Sequence, residues 1–336
     1  LKELNKEAEI DYNGYNIESL VSADKLVLPE GYEYDESLGI NNIVSPKTCS
    51  YACIYCQVGE TLIQTTDRKS FYEPELIYKK VGQHLEKLNA ENFPNYLTFV
   101  SNGEPTLDIN LGKSIKLLKK FDLPVAVIIN SSLLWDDSVY NDMLSADWVS
   151  VKMDAGNEYL WKEVNRPSPL LDYEKIINGI LYFTSRFQGK LCTETMLIEG
   201  VNDNDENFIS LAELIKEINP STAYLAIPIR PPSSKEVKPA SLDTLNRAWQ
   251  IFNDKKIKAE FLTGFEGTRT GYTGNIYEDI LNITAVHPMR EDMLNELLEK
   301  DNAAYEVVES LIRQKLIRVS VYNGKKFFLR NYHLKM

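Results

Sequence analysis

The chain has 336 residues, of which 43% are hydrophobic and 26% are charged, as in a globular protein with a large core. Its formal net charge of −12 disfavours a broad cationic surface for nucleic acid. No stretch approaches the roughly 18 consecutive apolar residues of a membrane span, and the first residues lack the pattern of a signal peptide. We therefore expect a cytoplasmic protein that does not bind membranes.

Short β-rich runs alternate with helical patterns along most of the chain. A first strand near "GINNIVSP" is followed by five more in "NYLTFVSNG", "LPVAVIINSS", "DWVSVKMDAG", "KLCTETMLIEG" and "TAYLAIPIRPP". Apolar residues at helical spacing lie between them, for example in "EPELIYKKVGQHLEKLN" and "DENFISLAELIKEI". The strands are apolar enough to be covered on both faces, which favours a parallel sheet.

Six β-α units predict an α/β fold, a partial (β/α)6 TIM-like barrel over residues 38–284, with residues 1–37 as an N-terminal extension. A doubly wound sheet is the main rival. Functional residues of a barrel gather at the carboxyl ends of its strands. Those ends carry a cysteine loop and the segments "NGEPT", "NSS", "KMDAG" and "PIRPPSS". The later segment "TGFEGTRTGYTG" is either a lid over the barrel mouth or a plain connection.

The last residues, 285–336, form a different pattern. Two helical runs, "MREDMLNELLEK" and "AAYEVVESLIRQKL", precede "IRVSVYNGKKFFL", in which Asn323-Gly324 is typical of a type I′ hairpin turn. Two helices followed by a hairpin predict a winged-helix-like module. This segment carries nine Lys/Arg against seven Asp/Glu, about +2, which leaves about −14 on the rest of the chain.

Three of the four cysteines lie in "KTCSYACIYCQ", where Cys49, Cys53 and Cys56 have the spacing C-x3-C-x2-C. One loop with this spacing can curl around a metal centre and present three thiolates. Structural zinc normally takes four protein ligands, whereas three thiolates on a four-iron cluster leave one iron open for chemistry. A zinc knuckle and incidental free thiols remain alternatives. Cys192 lies in a later strand, where we expect it to fill the core.

This loop, with Tyr55 at the aromatic position, resembles the C-x3-C-x-aromatic-C signature of the radical S-adenosylmethionine (SAM) superfamily. "SNGEPTLD" is similar to the glycine-rich Gly-Glu motif of that family, and "NSSLLW", "KMDAG", "ETMLIEGVND" and "RPPSS" follow in the expected order. The resemblance is strongest over Leu38–Pro232. Within the superfamily it is to the iron-sulfur oxidoreductases related to the wyosine-base synthases, which act on tRNA.

The resemblance implies that Cys49, Cys53 and Cys56 ligate a 4Fe-4S cluster whose open iron is chelated by SAM. One electron, from a donor such as flavodoxin or ferredoxin, then cleaves the sulfonium and gives a 5′-deoxyadenosyl radical. That radical abstracts a hydrogen atom from the substrate, while the protein aligns the reactants and excludes water.

Strand alternation and the family motifs place a set of candidate cofactor-binding residues at the strand ends. These are Tyr55, Gly103, Glu104, Asn130, Ser131, Lys152, Asp154 and Glu194. Turn capping explains Asn130 and Ser131 about as well, and Lys152 with Asp154 is alternatively a structural ion pair. Arg230 is a candidate for binding a substrate carboxylate or phosphate, or else forms a surface salt bridge. No catalytic residue is assigned.

Three hypotheses for the function remain open. The first is a radical SAM enzyme acting on RNA, including a tRNA base-modifying enzyme of the wyosine type. Glu306 and Glu309 near the start of the predicted second helix disfavour reading of a nucleic-acid groove, and no cysteine precedes Cys49 to bind a second cluster. The second is a radical SAM enzyme acting on a peptide or protein side chain. The third is a non-catalytic iron-sulfur or zinc interaction protein.

Overall fold

The structure is a computed structural model that describes residues 21–22, 37–88, 93–263, 274–286 and 288–331. Most of the predicted N-terminal extension and most of the predicted lid fall outside these residues.

The strands of the described residues are numbered in chain order. They are β1 Val21–Ser22, β2 Ser37–Ile40, β3 Thr48–Cys49, β4 Ile63–Gln64, β5 Tyr96–Phe99, β6 Val125–Ile129, β7 Trp148–Lys152, β8 Lys190–Met196, β9 Thr222–Ala226, β10 Ala259–Leu262, β11 Met289–Arg290, β12 Ile317–Tyr322 and β13 Lys325–Arg330.

The helices are numbered in the same way, and two short 3₁₀ turns, Pro105–Leu107 and Lys119–Phe121, complete the set. The α-helices are α1 Pro74–Leu85, α2 Leu111–Leu118, α3 Asp137–Met143, α4 Glu158–Asn165, α5 Tyr173–Thr184, α6 Asp205–Ile218, α7 Leu242–Asp254, α8 Ile276–Val286, α9 Glu291–Lys300 and α10 Glu306–Arg313.

Local sequence explains where many of these helices begin. A short polar side chain at the N-cap accepts a hydrogen bond from a backbone N–H of the first turn, which satisfies a donor that the helix itself leaves unpaired. The residues that do this are Asp136, Asn157, Asp172, Asn204 and Ser241.

The main sheet has the order β1-β2-β5-β6-β7-β8-β9-β10. From β2 to β10 its seven strands are parallel and follow one another in chain order, whereas β1 pairs antiparallel with β2. A doubly wound sheet would reverse its order at a switch point, so the rival prediction is wrong. The predicted count of six is also wrong, because β10 was missed. That strand, "AEFL", is short and half-exposed and gives little apolar signal.

Alternation along the strands separates two apolar cores. In β6, Val125 and Val127 face the cluster that the helices cover, whereas Ala126 lies in a second cluster on the other face of the sheet. That second cluster also contains Cys192 and Tyr224, both almost fully buried. Cys192 is therefore a core residue, as predicted. Farther along the same face, β7 and β8 carry Lys152 and Glu194.

The C-terminal residues form a separate three-stranded antiparallel sheet with the order β11-β13-β12. Met289, Ile317 and Phe328 of this sheet form a separate apolar cluster with side chains of α8, α9 and α10. Asn323 and Gly324 both have positive φ, 47° and 73°, as the predicted I′ turn requires. Helix α8 crosses the predicted boundary at residue 284 and packs with the C-terminal helices. Among the described residues, no helix is long and apolar enough to cross a membrane.

Candidate active site

The cysteine loop begins at β3 and is held by two neighbouring segments. The backbone N–H groups of Ala52 and Ile54 donate to the carbonyls of Asn165 and Val164 at the end of α4, each at 3.0 Å. On the other side, the hydroxyl of Ser233 donates to the carbonyl of Cys53 at 2.8 Å. The loop is thus fixed by α4 and by the segment that follows β9.

Gly103 brings the Gly-Glu segment against the cysteine loop. It has φ 146°, and a Cβ built there would lie 2.0 Å from the carbonyl oxygen of Thr48. The next residue donates from its backbone to that same oxygen, because the Glu104 N–H to Thr48 O distance is 3.1 Å. Only a glycine allows this approach, since any side chain would collide with the backbone that carries Cys49.

Each of the three predicted cluster ligands accepts a hydrogen bond from a side-chain nitrogen. Lys47 Nζ lies 2.9 Å from the Cys56 sulfur, and the Asn165 amide lies 3.4 Å from the Cys53 sulfur. The third donor is the amide of Asn130, 3.5 Å from Cys49 Sγ.

The surroundings shift the pKa values of the three thiols in opposite directions. Burial raises the pKa of Cys49 to about 12, and burial together with the Asp154 carboxylate raises the pKa of Cys53. Burial also acts on Cys56, but the Lys47 ammonium outweighs it and holds that pKa below its ordinary value. The same pairing holds the pKa of Lys47 above its ordinary value despite burial of the ammonium.

Glu104 is 1% exposed and ties two strand ends together. Its Oε1 accepts hydrogen bonds from the backbone N–H of Thr106 at 3.1 Å and from the Thr106 hydroxyl at 2.6 Å. Its Oε2 accepts the backbone N–H of Asn130 at 2.8 Å. Burial raises the pKa of Glu104 to about 7, although these hydrogen bonds oppose the shift.

Asn130 and Ser131 lie at the end of β6, as predicted. Besides its contact with Cys49, the Asn130 amide donates to the Ser50 hydroxyl at 2.8 Å. Ser131 is 2% exposed, has φ 69° and accepts the backbone N–H of Lys152 at 3.1 Å through its hydroxyl. Both residues therefore join neighbouring strand ends.

Lys152 and Glu194 face each other across β7 and β8 and form an ion pair. Their side chains are 18% and 17% exposed, so the pair lies in the site but is not sealed off. The Lys152 ammonium lies 5.8 Å from the centre of the Tyr55 ring. Burial lowers the pKa of Lys152, but Glu194 and Asp154 outweigh it, so that the pKa is raised and the ammonium stays charged.

Asp154 is 3% exposed and is occupied by protein donors. Its Oδ2 accepts the Tyr55 hydroxyl at 2.5 Å and the Asn165 amide at 2.7 Å, and its Oδ1 accepts the backbone N–H of Met196 at 2.8 Å. Burial raises the pKa of Asp154. The Tyr55 side chain is thereby fixed beneath Lys152.

The structure brings together all eleven residues that the sequence analysis assigned to the site. Arg230 is also close, with its Nη1 3.4 Å from Gln57 Oε1 directly after the last cysteine. Sequence reasoning missed Lys47 and Asn165. For Lys47 the only signal is its position two residues before Cys49. Asn165, 109 residues beyond the loop's last cysteine, gives no signal at all, because only the fold brings it there.

The donor set fits an iron-sulfur cluster. Three thiols lie on one loop, close enough to shift one another's pKa, and each sulfur accepts an N–H hydrogen bond of the kind that tunes such clusters. Within the described ranges, no three His, Cys, Asp or Glu side chains lie close enough together to ligate a single metal ion.

Comparison with known proteins gives the class. The sequence profile of the radical SAM superfamily matches residues 43–212, about half of the chain, and the chain therefore belongs to that superfamily. Its members use a 4Fe-4S cluster and SAM, so the chain is a radical SAM enzyme, and the expected family is confirmed. The non-catalytic hypothesis is set aside.

The chain is also similar to a protein of related sequence and to two solved structures. The chain is 46% identical over 299 residues to the UPF0026 protein MJ1312 of Methanocaldococcus jannaschii, covering 88% of this chain and 92% of the relative. Among solved structures, TYW1 with a lysine-pyruvate adduct bound covers 66% of this chain and 74% of its own at 19% identity, with a TM-score of 0.51. A radical SAM methyltransferase from Sphaerobacter thermophilus covers 70% and 69% at 16% identity, with a TM-score of 0.53. These two structures share the fold.

The contact at Gly103 predicts a specific effect of a methyl group. Gly103→Ala should lower the iron and sulfide bound per chain after anaerobic reconstitution at least tenfold, because the Cβ must push Thr48 and the cysteine loop away. Gly200→Ala is the matched control, since Gly200 also has positive φ, 72°, but a Cβ there meets nothing within 4 Å. Equal iron content in the two variants would contradict the prediction.

The raised pKa of Glu104 predicts a dependence of stability on pH. Between its ordinary pKa of 4.5 and about 7, the folded chain holds a proton that the unfolded chain has lost. The stability of the metal-free chain should therefore fall, relative to Glu104→Gln, as pH rises from 4.5 to 7.5. The difference should amount to about 3 kcal/mol in the free energy of unfolding. Urea unfolding at several pH values measures it, and parallel pH profiles for the two proteins would rule it out.

Proposed function

We propose that Cys49, Cys53 and Cys56 ligate the 4Fe-4S cluster and that the adjoining strand ends bind SAM. When bound, these groups supply a 5′-deoxyadenosyl radical that abstracts a hydrogen atom from a macromolecular substrate. The electron comes from a one-electron carrier such as flavodoxin or ferredoxin, and the enzyme works in the cytoplasm.

The observation that carries this proposal is a continuous set of hydrogen bonds that joins three motifs at one cysteine. The Glu104 N–H bonds to the carbonyl of Thr48, the Glu104 carboxylate bonds to the Asn130 N–H, and the Asn130 amide reaches the Cys49 sulfur. Two further strand ends are thereby held against the cysteine loop, which supports a site that aligns a small ligand with the cluster.

The two buried carboxylates of the site, Asp154 and Glu104, each accept three protein donors, two on one oxygen and one on the other. Asp154 holds Tyr55 and Asn165 in place. Glu104 lies in the segment that contacts the cysteine loop, and we assign its Oε2, which accepts one described donor, to a ligand ammonium with charge assistance. The partly exposed Lys152 and Glu194 are suited to the carboxylate and hydroxyl groups of SAM.

A substrate-binding role for the C-terminal unit, which comprises α8 to β13, is supported by its position. Its two helices α9 and α10 followed by the β12–β13 hairpin are the arrangement expected of a winged-helix-like module. The hairpin meets the barrel where the Tyr322 hydroxyl donates to the Pro228 carbonyl at 3.2 Å. Two residues later, Arg230 contacts Gln57 beside the cysteine loop. A chain bound to the hairpin would therefore lie close to the site.

Charge on the C-terminal unit favours a peptide or protein substrate. Glu306 and Glu309 are exposed at the start of α10, where a groove-reading helix would carry Lys or Arg. In the hairpin, Lys326 is paired with Glu291 at 2.8 Å. RNA is the second candidate because Arg318 and Lys325 remain exposed on the hairpin.

The cysteine variants test the ligand assignment. We expect the reconstituted, dithionite-reduced enzyme to cleave SAM to methionine and 5′-deoxyadenosine. Ala at position 49, 53 or 56 should lower that rate by more than about 100-fold, beyond the loss typical of residues that only support a ligand. Cys192→Ala, which removes the fourth thiol from the core, should stay within about threefold. Persistent cleavage by Cys56→Ala would show that the ligands are assigned wrongly.

Salt dependence tests the substrate class. If the C-terminal unit binds peptide, the affinity for bulk tRNA should be weak, and the slope of log K against log salt between 50 and 200 mM should be smaller than about 2. Fluorescence anisotropy measures the slope. A slope of about 4 or more, reduced by about 1 in each of Arg318→Glu and Lys325→Glu, would favour RNA instead.

A further inference from the structure

Lys47 is a buried lysine whose ammonium is directed at a predicted cluster ligand. It is 5% exposed, and its Nζ donates to the Cys56 sulfur at 2.9 Å and to the Gly59 carbonyl at 2.7 Å. Lysine is almost never buried without a compensating negative charge. The two acceptors that its ammonium contacts are the Cys56 sulfur and the Gly59 carbonyl, and of these the sulfur is the one that can carry a negative charge. The compensating charge is therefore that of the Cys56 sulfur.

The sulfurs of Cys49 and Cys53 accept hydrogen bonds from neutral groups instead. Asn130 and Asn165 donate to Cys49 and Cys53 from neutral amides and at longer distances, 3.5 and 3.4 Å. Only the Cys56 sulfur, among these three, contacts a full positive charge. Hydrogen bonds to the sulfurs and the net charge of the surroundings are the levers that set the reduction potential of an iron-sulfur cluster.

We propose that Lys47 is a positioning residue that raises the reduction potential of the cluster through its charge beside Cys56. On reduction the cluster gains one electron, the one-electron carrier loses one, and Lys47 keeps its proton throughout. A fixed cation stabilises the more negative reduced state more than the oxidised state, and weak screening in a buried site strengthens the effect. This role rests on the ligand assignment proposed above.

Two neutral variants and two controls separate charge from packing. Lys47→Met keeps the length of the side chain and removes both the charge and the donor, whereas Lys47→Gln retains a neutral donor. Lys47→Arg keeps the charge. Lys79→Met removes an exposed lysine on α1 and controls for the change in net charge. Iron and sulfide content is measured first for every protein, and the midpoint potential is then measured by EPR-monitored redox titration.

We expect both neutral variants to bind the cluster and to have midpoint potentials more negative than wild type. The shift should exceed 59 mV, equal to a tenfold change in the one-electron equilibrium constant. Lys47→Arg should recover at least half of the shift in Lys47→Met, and Lys79→Met should match wild type.

A wild-type potential in fully loaded Lys47→Met would overturn this role. Loss of iron from both neutral variants would also overturn it, because Lys47 would then be needed to assemble the loop. A wrong ligand assignment would give a different result. Cys56→Ala would then bind the cluster and have the midpoint potential of wild type, whatever residue stands at position 47.

Discussion

The contact between the Thr48 carbonyl and the Gly103 backbone is the constraint on which the site depends. It places the loop that follows β2 and the loop that follows β5 in van der Waals contact, at a distance that excludes any side chain. The neighbouring hydrogen bonds depend on this short distance. The Glu104 N–H reaches Thr48, the Glu104 carboxylate reaches Asn130, and the Asn130 amide reaches Cys49. If the two backbones separated, the buried Glu104 N–H would lose the Thr48 carbonyl, and a buried backbone donor left unpaired costs more free energy than its hydrogen bond returns.

The site holds several charged side chains, and each is balanced in a different way. Asp154 is surrounded by neutral donors from three segments, Lys152 is paired with Glu194 across neighbouring strands, and Lys47 is balanced by sulfur. These groups are not interchangeable, because a buried charge is tolerated only where its own partners are in place. The same interior is apolar one layer deeper, where Cys192 packs, so polar and apolar layers succeed each other along the strands.

The sequence predicted the parallel sheet, the cysteine loop and the residues around it because these features are local. Strand alternation placed Lys152 and Glu194 on the inner face, and the I′ turn at Asn323-Gly324 is a two-residue signal. What it did not predict depends on distant segments. β10 has four residues and a half-exposed face, so its place in the sheet comes from pairing with β9. Asn165 reaches Cys53 only because α4 packs beside the loop. The buried contacts of Lys47 and Asp154 likewise follow from tertiary structure, which periodicity does not encode.

The open sheet has one further consequence. Its two ends, β1 and β10, are not paired with each other within the described residues. The C-terminal unit reaches toward both flanks, because α8 lies against β1 and the β12–β13 hairpin touches the segment after β9. The C-terminal unit thus contacts the sheet near both of its ends. Pro228 lies two residues before Arg230, and Arg230 contacts Gln57 directly after the last cysteine, so a short run of chain and one hydrogen bond connect the hairpin to the cysteine loop.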